Sequence, residues 1–346
     1  MDSLIQHDIL LQDYCTFRVG GRASNFAHIK SKDDLVEAID WARERKLPIF
    51  ILGEGSNLIF SDGTHKFLII KIEILGYELV SSDEDYEIIK IGAGEHWDSV
   101  VERAVSDGLA GIEAMSLIPG TAGATPIQNV GAYGQEIKDT LVELEAYDLE
   151  IQKFIILTND QCEFSYRNSM FKSKHRGRFI ISSITLKLSK LPPEPPTYES
   201  LKNYLLKHHI KTPDLFQIRQ AVIAVRSSRL PDPEELPNVG SFFSNPVVSL
   251  AQANKLAKLY PDMPTFPADL DQVKLSAGWL IEKCGLKGKT IDHIKIYTKN
   301  ALVLTNPNHA DFTDLKLATK EIIKIVSEKF DISLVEEPEI IGPDYF

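Results

Sequence analysis

The segment NVGSFFSNP, at residues 238–246, carries two serines that could take part in catalysis, Ser241 and Ser244. A hydroxyl can pass a proton to a reacting group when it is held within hydrogen-bond distance of that group. Read alone, the segment favours a packed turn, because glycine and proline mark turns and paired aromatic side chains usually anchor a loop to a core. The chain lacks a G-x-S-x-G elbow, so the nucleophile of an α/β-hydrolase is not indicated.

Two charged side chains in largely apolar surroundings are further candidates. Arg167 lies in FSYRNSMFK, where the simplest interpretation is a guanidinium stacked on Tyr166. Glu339 lies in LVEEPEI, where the simplest interpretation is an exposed residue on an edge strand. Taken singly, neither residue identifies a reaction.

Two glycine-rich segments are typical of loops that approach a ligand through their backbone. In ILGEGSNLIF, an apolar strand runs into GEGSN at residues 53–57, whose N–H groups and polar side chains can cradle a pyrophosphate. A tight strand connection explains these residues equally well, because neither a Walker loop nor the Rossmann G-x-G-x-x-G is present. The second segment, residues 114–135, is uncharged and contains four glycines, which remove Cβ atoms that would block a ligand.

The composition is that of a globular protein of two or three domains, with 346 residues, of which 43% are hydrophobic and 25% charged. A net charge of -11 argues against general affinity for nucleic acid, although it leaves room for a local phosphate site. The three cysteines are far apart and the nine histidines show no paired ligand spacing, so we expect a reducing, cytoplasmic location and no metal site. We find no secretory leader and no stretch that predicts membrane insertion, and no obligate protein partner is evident.

The hydrophobic periodicity predicts an α/β beginning followed by further helices and strands. Ser31 is the expected N-cap of a helix in SKDDLVEAIDWARERK, and Gly108 is the expected C-terminal stop of a helix in HWDSVVERAVSDG. VKLSAGWLIEKCG is predicted as a helix, whereas ALVLTN and ISLVEEPEI are predicted as strands. The proline-rich KLPPEPPTY, at residues 190–198, predicts a domain boundary.

Seven segments, taken together and in order, are TFRVGG, ILGEGSNLIF, IPGTAGATPIQNVGAYG, YRNSMFK, GSFFSNP, AGWLIEKCGLKG and EEPEI. This series resembles the UDP-N-acetylenolpyruvoylglucosamine reductase family, the flavoenzymes that form UDP-N-acetylmuramate for peptidoglycan. The resemblance runs from Thr16 to Glu339. Its most specific feature is the joint presence of GEGSN, PIQNVGAYG and GSFFSNP.

The resemblance implies an α+β protein with a two-subdomain FAD-binding fold of the vanillyl-alcohol-oxidase/PCMH-like type, followed by a smaller α+β substrate-binding domain. The corresponding divisions are residues 1–75 and 76–228 for the FAD-binding subdomains and 229–330 for the substrate domain, with a C-terminal strand in 331–346 that packs back near the site. The resemblance also implies non-covalent FAD, bound by Gly53, Glu54, Gly55, Ser56, Asn57, Leu58, Pro119, Gly120, Gly123, Ala124, Thr125, Ile127, Gln128, Asn129 and Gly131.

The implied reaction has two halves. NADPH delivers a hydride to the flavin, and the reduced flavin passes a hydride to the β-carbon of the enolpyruvyl ether of a UDP-linked amino sugar. By the motif match, Arg167 and Glu339 stabilise the enolate-like charge that builds on the substrate carboxylate. Ser241 is the matching proton donor to the α-carbon, whereas Ser244 has no assigned role.

Four more residues match substrate-binding positions of the family: Tyr166, Tyr198, Arg229 and Asn245. Tyr198 resembles the tyrosine on a mobile loop that covers the substrate in one subgroup. The segment RSSRLPDP, with Arg226 and Arg229, is expected to contact the diphosphate. Relatives often have lysine in place of Arg229, and many carry a basic residue soon after the glutamate that Glu339 matches, where this chain reads IIGP.

Two other functions stay open on the residues alone. One is a flavin oxidase or dehydrogenase that takes electrons from an alcohol. Some flavoproteins with a similar FAD domain tether their cofactor through His or Cys, and neither glycine-rich loop contains such a residue. The other is a nucleotide-sugar binding protein without turnover, which the presence of Arg167, Ser241 and Glu339 argues against.

Overall fold

The computed structural model describes residues 4–268 and 271–346. The chain divides into two compact units. The first comprises Met1–Ile9, Ser24–Glu54 and Lys66–Ser227, and the second comprises Leu10–Ala23, Gly55–His65 and Ser228–Phe346. The division into residues 1–75, 76–228 and 229–330 stays a prediction.

The described residues form seven α-helices: α1 (Lys32–Glu44), α2 (Trp97–Ser106), α3 (Glu199–Lys207), α4 (Leu215–Ser227), α5 (Leu250–Leu259), α6 (Ala277–Lys283) and α7 (Phe312–Phe330). They also form short and long strands: β1 (Ile5–Gln6), β2 (Ile9–Leu10), β3 (Arg22–Ile29), β4 (Ile49–Leu52), β5 (Leu58–Phe60), β6 (Thr64–Ile72), β7 (Tyr77–Ser82), β8 (Tyr86–Gly92), β9 (Gly131–Ala132), β10 (Gln135–Glu136), β11 (Leu141–Asp148), β12 (Lys153–Thr158), β13 (Phe179–Ser189), β14 (Val247–Ser249), β15 (Thr265–Pro267), β16 (Gln272–Leu275), β17 (Thr290–Ile291), β18 (Ile294–Ile296), β19 (Leu304–Thr305) and β20 (Glu339–Ile341). Within this part of the chain, no helix is both long and apolar enough to cross a membrane.

The first unit is built around two sheets. In one, the strand order is β1-β3-β6-β4, with β2 also paired to β3, and β4 runs parallel to β6. The other is antiparallel, with the order β12-β11-β13-β8-β7. The helix α2 packs its apolar stripe into the core of this unit, where Trp97 is fully buried and donates from Nε1 to the carbonyl of Met115 at 3.3 Å.

The predicted ends of the first two helices are confirmed. Ser31 caps α1, because its Oγ accepts the N–H of Asp34 at 3.1 Å. The helix α2 ends at Ser106, and Gly108 follows with φ +77°, a left-handed conformation that glycine adopts without strain. Local residue chemistry is therefore enough to set these boundaries.

The second unit contains two three-stranded antiparallel sheets, β14-β16-β15 and β17-β18-β19, and the parallel pair β5-β20.

The predicted helix in VKLSAGWLIEKCG is wrong for its first residues, because Gln272–Leu275 form β16 between two partner strands. The helix begins only at Ala277, after Ser276 accepts the N–H of Trp279 at 3.2 Å. The predicted last strand is likewise shortened to Glu339–Ile341, and ALVLTN to Leu304–Thr305.

Candidate active site

Glu54 joins the two glycine-rich segments within the first unit. Its Oε2 accepts the N–H of Gly120 at 2.9 Å, and its Oε1 lies 3.6 Å from Nε2 of His96. The preceding residue is also closely packed, because a Cβ on Gly53 would lie 3.0 Å from Oγ1 of Thr121, nearer than ordinary van der Waals contact. The carboxylate of Glu54 thus fixes the start of the loop at residues 119–134, which we call the neutral loop.

The neutral loop is wound by its own hydrogen bonds. A short 3₁₀ turn spans Ala122–Ala124, and the hydroxyl of Thr125 donates to the carbonyl of Ala122 at 2.7 Å. Gly123 packs so closely on the sheet that a Cβ there would lie 2.5 Å from the Cβ of Ala93. The predicted cofactor positions of this loop are therefore carried by one ordered segment: Pro119, Gly120, Gly123, Ala124, Thr125, Ile127, Gln128, Asn129 and Gly131.

Arg167 lies at the tip of a tight turn that is closed by two backbone hydrogen bonds between Ser165 and Asn168, at 3.0 and 3.1 Å. Its φ of +54° is left-handed, which costs a non-glycine residue about 1 kcal/mol. The Nη2 atom donates to the carbonyl of Gly131 at 2.7 Å, and the guanidinium lies 5.8 Å from the centre of the Tyr166 ring. Stacking on Tyr166 alone therefore does not describe the residue, since a stronger contact ties it to the neutral loop.

Two side chains fasten the Arg167 turn to the same loop. Nδ2 of Asn129 donates to the carbonyl of Ser165 at 3.1 Å, and Oγ of Ser169 donates to the carbonyl of Ile127 at 2.6 Å. Both flanks of the turn are thus hydrogen-bonded to the loop. The structure brings Arg167 and the predicted flavin-binding backbone together as one assembly.

Tyr198 meets the far end of the neutral loop. It precedes α3, is about half exposed, and its ring stands edge-on to that of Tyr133 with centroids 5.7 Å apart. A Cβ on Gly134 would lie 3.7 Å from the Tyr198 ring. The structure therefore places the predicted covering tyrosine beside the hairpin of β9 and β10.

The remainder of GEGSN belongs to the second unit. Gly55 has φ +68°, and a Cβ there would lie 2.1 Å from the carbonyl oxygen of Tyr14, so no other residue fits. Its carbonyl accepts the N–H of Thr16 at 3.2 Å. The Oγ1 of Thr16 is buried without a hydrogen-bond partner in the described part of the chain. Thr16 was absent from the predicted cofactor residues, although the motif TFRVGG marks its position.

Ser241 lies in a loop of the second unit that is anchored by apolar burial. Gly240 has φ +73°, and Ser241 forms an isolated bridge with Val303. Phe242 and Phe243 are each 1% exposed and stack edge-on with centroids 5.3 Å apart. The expectation that the phenylalanines anchor the turn is confirmed, and Ser241 is left half-buried beside them.

Glu339 is brought to the GEGSN turn by strand pairing. The strands β20 and β5 run parallel with Glu339 opposite Leu58, and the N–H of Glu339 donates to the carbonyl of Asn57 at 3.1 Å. Its carboxylate accepts a hydrogen bond from the hydroxyl of Tyr345. The turn residues Ser56 and Asn57 and the predicted catalytic carboxylate therefore share one edge of this unit.

The two remaining predicted substrate residues also lie in the second unit. Oδ1 of Asn245 accepts the N–H of Ala277 at 2.9 Å and so holds the start of α6, and its Nδ2 makes no hydrogen bond to the residues that the structure describes. Arg229 is exposed shortly after the end of α4. Among the described residues, no group of three or more His, Cys, Asp or Glu side chains is arranged to hold a metal ion.

Comparison with known proteins identifies the family. An FAD binding domain model matches residues 23–150, and the model of the UDP-N-acetylenolpyruvoylglucosamine reductase C-terminal domain matches residues 232–341. The UDP-N-acetylenolpyruvoylglucosamine reductase of Chromobacterium violaceum is 37% identical over 335 residues, covering 96% of this chain and 98% of that protein. The chain belongs to the UDP-N-acetylenolpyruvoylglucosamine reductase family. The reductase of Flavobacterium johnsoniae, 38% identical over 97% of this chain and 99% of its own length, agrees with this assignment.

Membership of the reductase family confirms the predicted fold class, the enzyme class and the cofactor. The crystal structure of the reductase from Thermus caldophilus superimposes with a TM-score of 0.68 at 23% identity and covers 97% of this chain and 98% of that one. The protein is an FAD-dependent oxidoreductase of peptidoglycan precursor synthesis.

The residues present fit FAD. In the first unit, the neutral loop presents backbone without competing charge, and Gly53 occupies a position that a Cβ would crowd. In the second unit, Gly55 leaves no room for a Cβ, and the hydroxyl of Thr16 is buried without a hydrogen-bond partner among the described residues. These features favour the pyrophosphate and ring system of a dinucleotide.

Proposed function

We propose that the protein reduces the enolpyruvyl ether of UDP-N-acetylglucosamine-enolpyruvate to UDP-N-acetylmuramate with NADPH as the electron donor. The observation that carries this proposal is the assembly of Arg167 with the neutral loop. Nη2 of Arg167 donates to the carbonyl of Gly131 at 2.7 Å, which holds a cation against the loop on which we expect FAD to lie. The chain also belongs to the reductase family. A cytoplasmic location forms part of the proposal.

FAD, when bound, supplies the hydride carrier between NADPH and the β-carbon of the enolpyruvyl group. The chain itself orients this cofactor: Glu54 fixes the neutral loop at Gly120, and Asn129 and Ser169 fix the loop to the Arg167 turn. Because these contacts are made within the chain itself, the electrostatic environment needs little reorganisation during the reaction.

Arg167 and Glu339 stabilise the negative charge that develops on the substrate carboxylate as hydride arrives at the β-carbon. The planar fork of Arg167 matches two carboxylate oxygens. Ser241 donates the proton to the α-carbon from a loop whose buried phenylalanines limit the access of water. In the same proposal, Tyr166, Tyr198, Arg229 and Asn245 bind the substrate.

The test separates this function from its two alternatives. The purified protein is examined for a flavin spectrum, then mixed without oxygen with NADPH, and finally with the UDP-linked enolpyruvyl sugar. We expect the flavin absorbance to bleach and then to recover. Flavin absorbance that NADPH bleaches but the enolpyruvyl sugar does not restore would contradict the proposal. Binding of the nucleotide sugar without any recovery would indicate a binding protein, and NADH in place of NADPH tests the choice of donor.

A further inference from the structure

The residues that follow β20 turn back toward the strand that carries Glu339. Ile341, the last residue of β20, is fully buried, and its carbonyl accepts the N–H of Ser61 at 2.9 Å. Pro343 then opens a turn, because its ring fixes φ and it has no N–H to donate to a sheet. Residues 342–346, which we call the tail, therefore leave the strand at a fixed point.

The turn returns Tyr345 to Glu339. The hydroxyl of Tyr345 donates a hydrogen bond to Oε1 of Glu339, six residues earlier in the chain. Tyr345 is half-buried, whereas the adjacent Phe346 is 60% exposed and meets the Tyr345 ring edge-on, with centroids 5.0 Å apart. The strand, the turn and both partners of the hydrogen bond belong to the second unit. The contact is therefore made within that unit alone.

The hydrogen bond from Tyr345 restricts the orientation of Glu339. The side chain of Glu339 is exposed, and an exposed glutamate side chain samples many rotamers. A group that stabilises charge in a transition state acts best when it already points to where that charge develops. A donor fixed on Oε1 limits rotation of the carboxyl group, so Tyr345 contributes an orientation that the short strand does not give by itself.

The donor that the tail brings to Glu339 is neutral. Residues 340–346 read IIGPDYF and contain no Lys, Arg or His. A cation beside a carboxyl group favours its ionised form, and an ionised carboxylate would repel the negative charge that develops on the substrate. A phenol both donates and accepts, so it can hold Glu339 whether the carboxyl group is ionised or carries a proton. Tyr345 is therefore compatible with a hydrogen bond from Glu339 to the substrate.

We propose that Tyr345 is a positioning residue, which holds the carboxyl group of Glu339 in the orientation that stabilises the enolate-like charge on the substrate. This inference rests on the proposed function. Tyr345 was absent from the predicted site residues. Its effect is confined to the second half of the reaction, because hydride transfer from NADPH to FAD creates no charge on the enolpyruvyl sugar.

Tyr345→Phe is the decisive variant, because it removes one hydroxyl and keeps the ring. The matched control is Phe346→Leu, which alters the adjacent exposed ring and leaves the hydroxyl of Tyr345 in place. Each FAD-loaded protein is reduced with NADPH without oxygen and then mixed with saturating UDP-linked enolpyruvyl sugar in a stopped-flow instrument. Calorimetry on the oxidised protein measures the affinity for the same sugar without turnover.

We expect Tyr345→Phe to slow flavin reoxidation about tenfold, as for the loss of a hydrogen bond to a charged group. Flavin reduction and the affinity for the enolpyruvyl sugar should be unchanged. Phe346→Leu should match the unaltered protein in all three measurements. Equal losses in reduction and reoxidation would indicate that the tail only supports the fold, and a matching loss of affinity would indicate direct substrate binding. Either result would overturn the inference.

A double variant tests whether Tyr345 acts through Glu339. Glu339→Ala removes the acceptor, so adding Tyr345→Phe should slow reoxidation no further than Glu339→Ala alone. Losses that multiply in the double variant would overturn the inference. If the enolpyruvyl sugar does not reoxidise the unaltered protein, the proposed function fails. If it does, and Tyr345→Phe behaves as Phe346→Leu, only the inference fails.

Discussion

The two loops that carry the proposed chemistry are held in place by opposite means. The neutral loop of the first unit is held by directional hydrogen bonds: Glu54 and Ser169 contact its backbone, and its own Asn129 donates to the Arg167 turn. Asp98 accepts the N–H of Leu117, two residues before the loop begins. The Ser241 loop of the second unit is fixed by two buried phenylalanine rings and by backbone hydrogen bonds.

This difference follows from what each loop must present. A loop that offers backbone to a cofactor needs glycines and small residues, which bury little apolar surface, so directional hydrogen bonds must hold it. A loop that offers one side chain can be anchored by burying the apolar side chains next to it. Burial of large apolar side chains stabilises more than single hydrogen bonds do and depends less on direction. We therefore expect a substitution in the apolar anchor of the Ser241 loop to have a larger effect than the loss of one polar attachment of the neutral loop.

The largest effect is expected for Phe243→Ala, in the apolar anchor. Loss of a fully buried phenylalanine should lower the free energy of unfolding by about 3–5 kcal/mol, from lost transfer energy and the cavity left behind. Urea unfolding measures the change. Phe216→Ala serves as the control, because that ring is 62% exposed and its loss should change stability little. Similar losses for both variants would contradict the role of burial in holding the Ser241 loop.

Ser241→Ala tests the side chain that this anchor presents. Flavin reduction by NADPH should be retained, whereas reoxidation by the enolpyruvyl sugar should slow by about 10²-fold or more, as expected for a lost general acid. Stopped-flow absorbance resolves the two halves. Ser244→Ala, three residues along the same loop, should behave like the unaltered protein. Normal reoxidation in Ser241→Ala would remove this serine from the mechanism.

Glu54→Ala tests a polar attachment of the neutral loop. The N–H of Gly120 would lose a charged acceptor, so the loop should be less well ordered and FAD affinity should fall by roughly tenfold. Fluorescence titration of the apoprotein with FAD measures this change. The control is Glu44→Ala, which removes an exposed carboxylate of α1. An unchanged FAD affinity in Glu54→Ala would show that this hydrogen bond does not order the loop.

The smallest effect concerns the pH dependence of stability. Burial alone would raise the pKa of Asp98, but the hydrogen bonds from Arg219 and from the N–H of Leu117 outweigh it and lower this pKa in the folded protein. Its carboxylate therefore contributes stability above its ordinary titration range and loses that contribution as the pH falls through the lowered pKa. The difference in stability between the unaltered protein and Asp98→Asn should therefore be largest near neutral pH and shrink below about pH 4. Urea unfolding at several pH values measures it. A difference that grows in acid would contradict the assigned direction.

The sequence allowed features set by neighbouring residues to be predicted. Ser31 and Gly108 set helix ends through contacts with near neighbours, and the phenylalanines after Ser241 follow the ordinary rule for anchored turns. The strand at Gln272–Leu275 was missed, because its pairing with β14 and β15 outweighs the helical pattern of its own residues.

The polar attachments of the neutral loop could not be predicted from local pattern. Asp98 and Arg219 lie far apart in sequence, and each alone is typical of an exposed helix residue. Their pairing depends on how α2 and α4 pack, which a single sequence does not specify. The family resemblance located Arg167 and Glu339, but gave no reason to expect the left-handed φ of +58° at Leu117 or the buried hydroxyl of Thr16.

The parallel pairing of β20 with β5 also has a consequence for the order of folding. Glu339 and Leu58 are neighbours in space but lie near opposite ends of the described chain, so closing this contact carries a large loop-closure cost. During synthesis, which proceeds from the N-terminus, strand β5, which follows the GEGSN turn, lacks its partner strand until almost all of the chain has emerged. A nascent chain can thus complete the two sheets of the first unit well before it acquires the carboxylate proposed for catalysis, and cofactor capture and catalytic competence become separate events in its maturation.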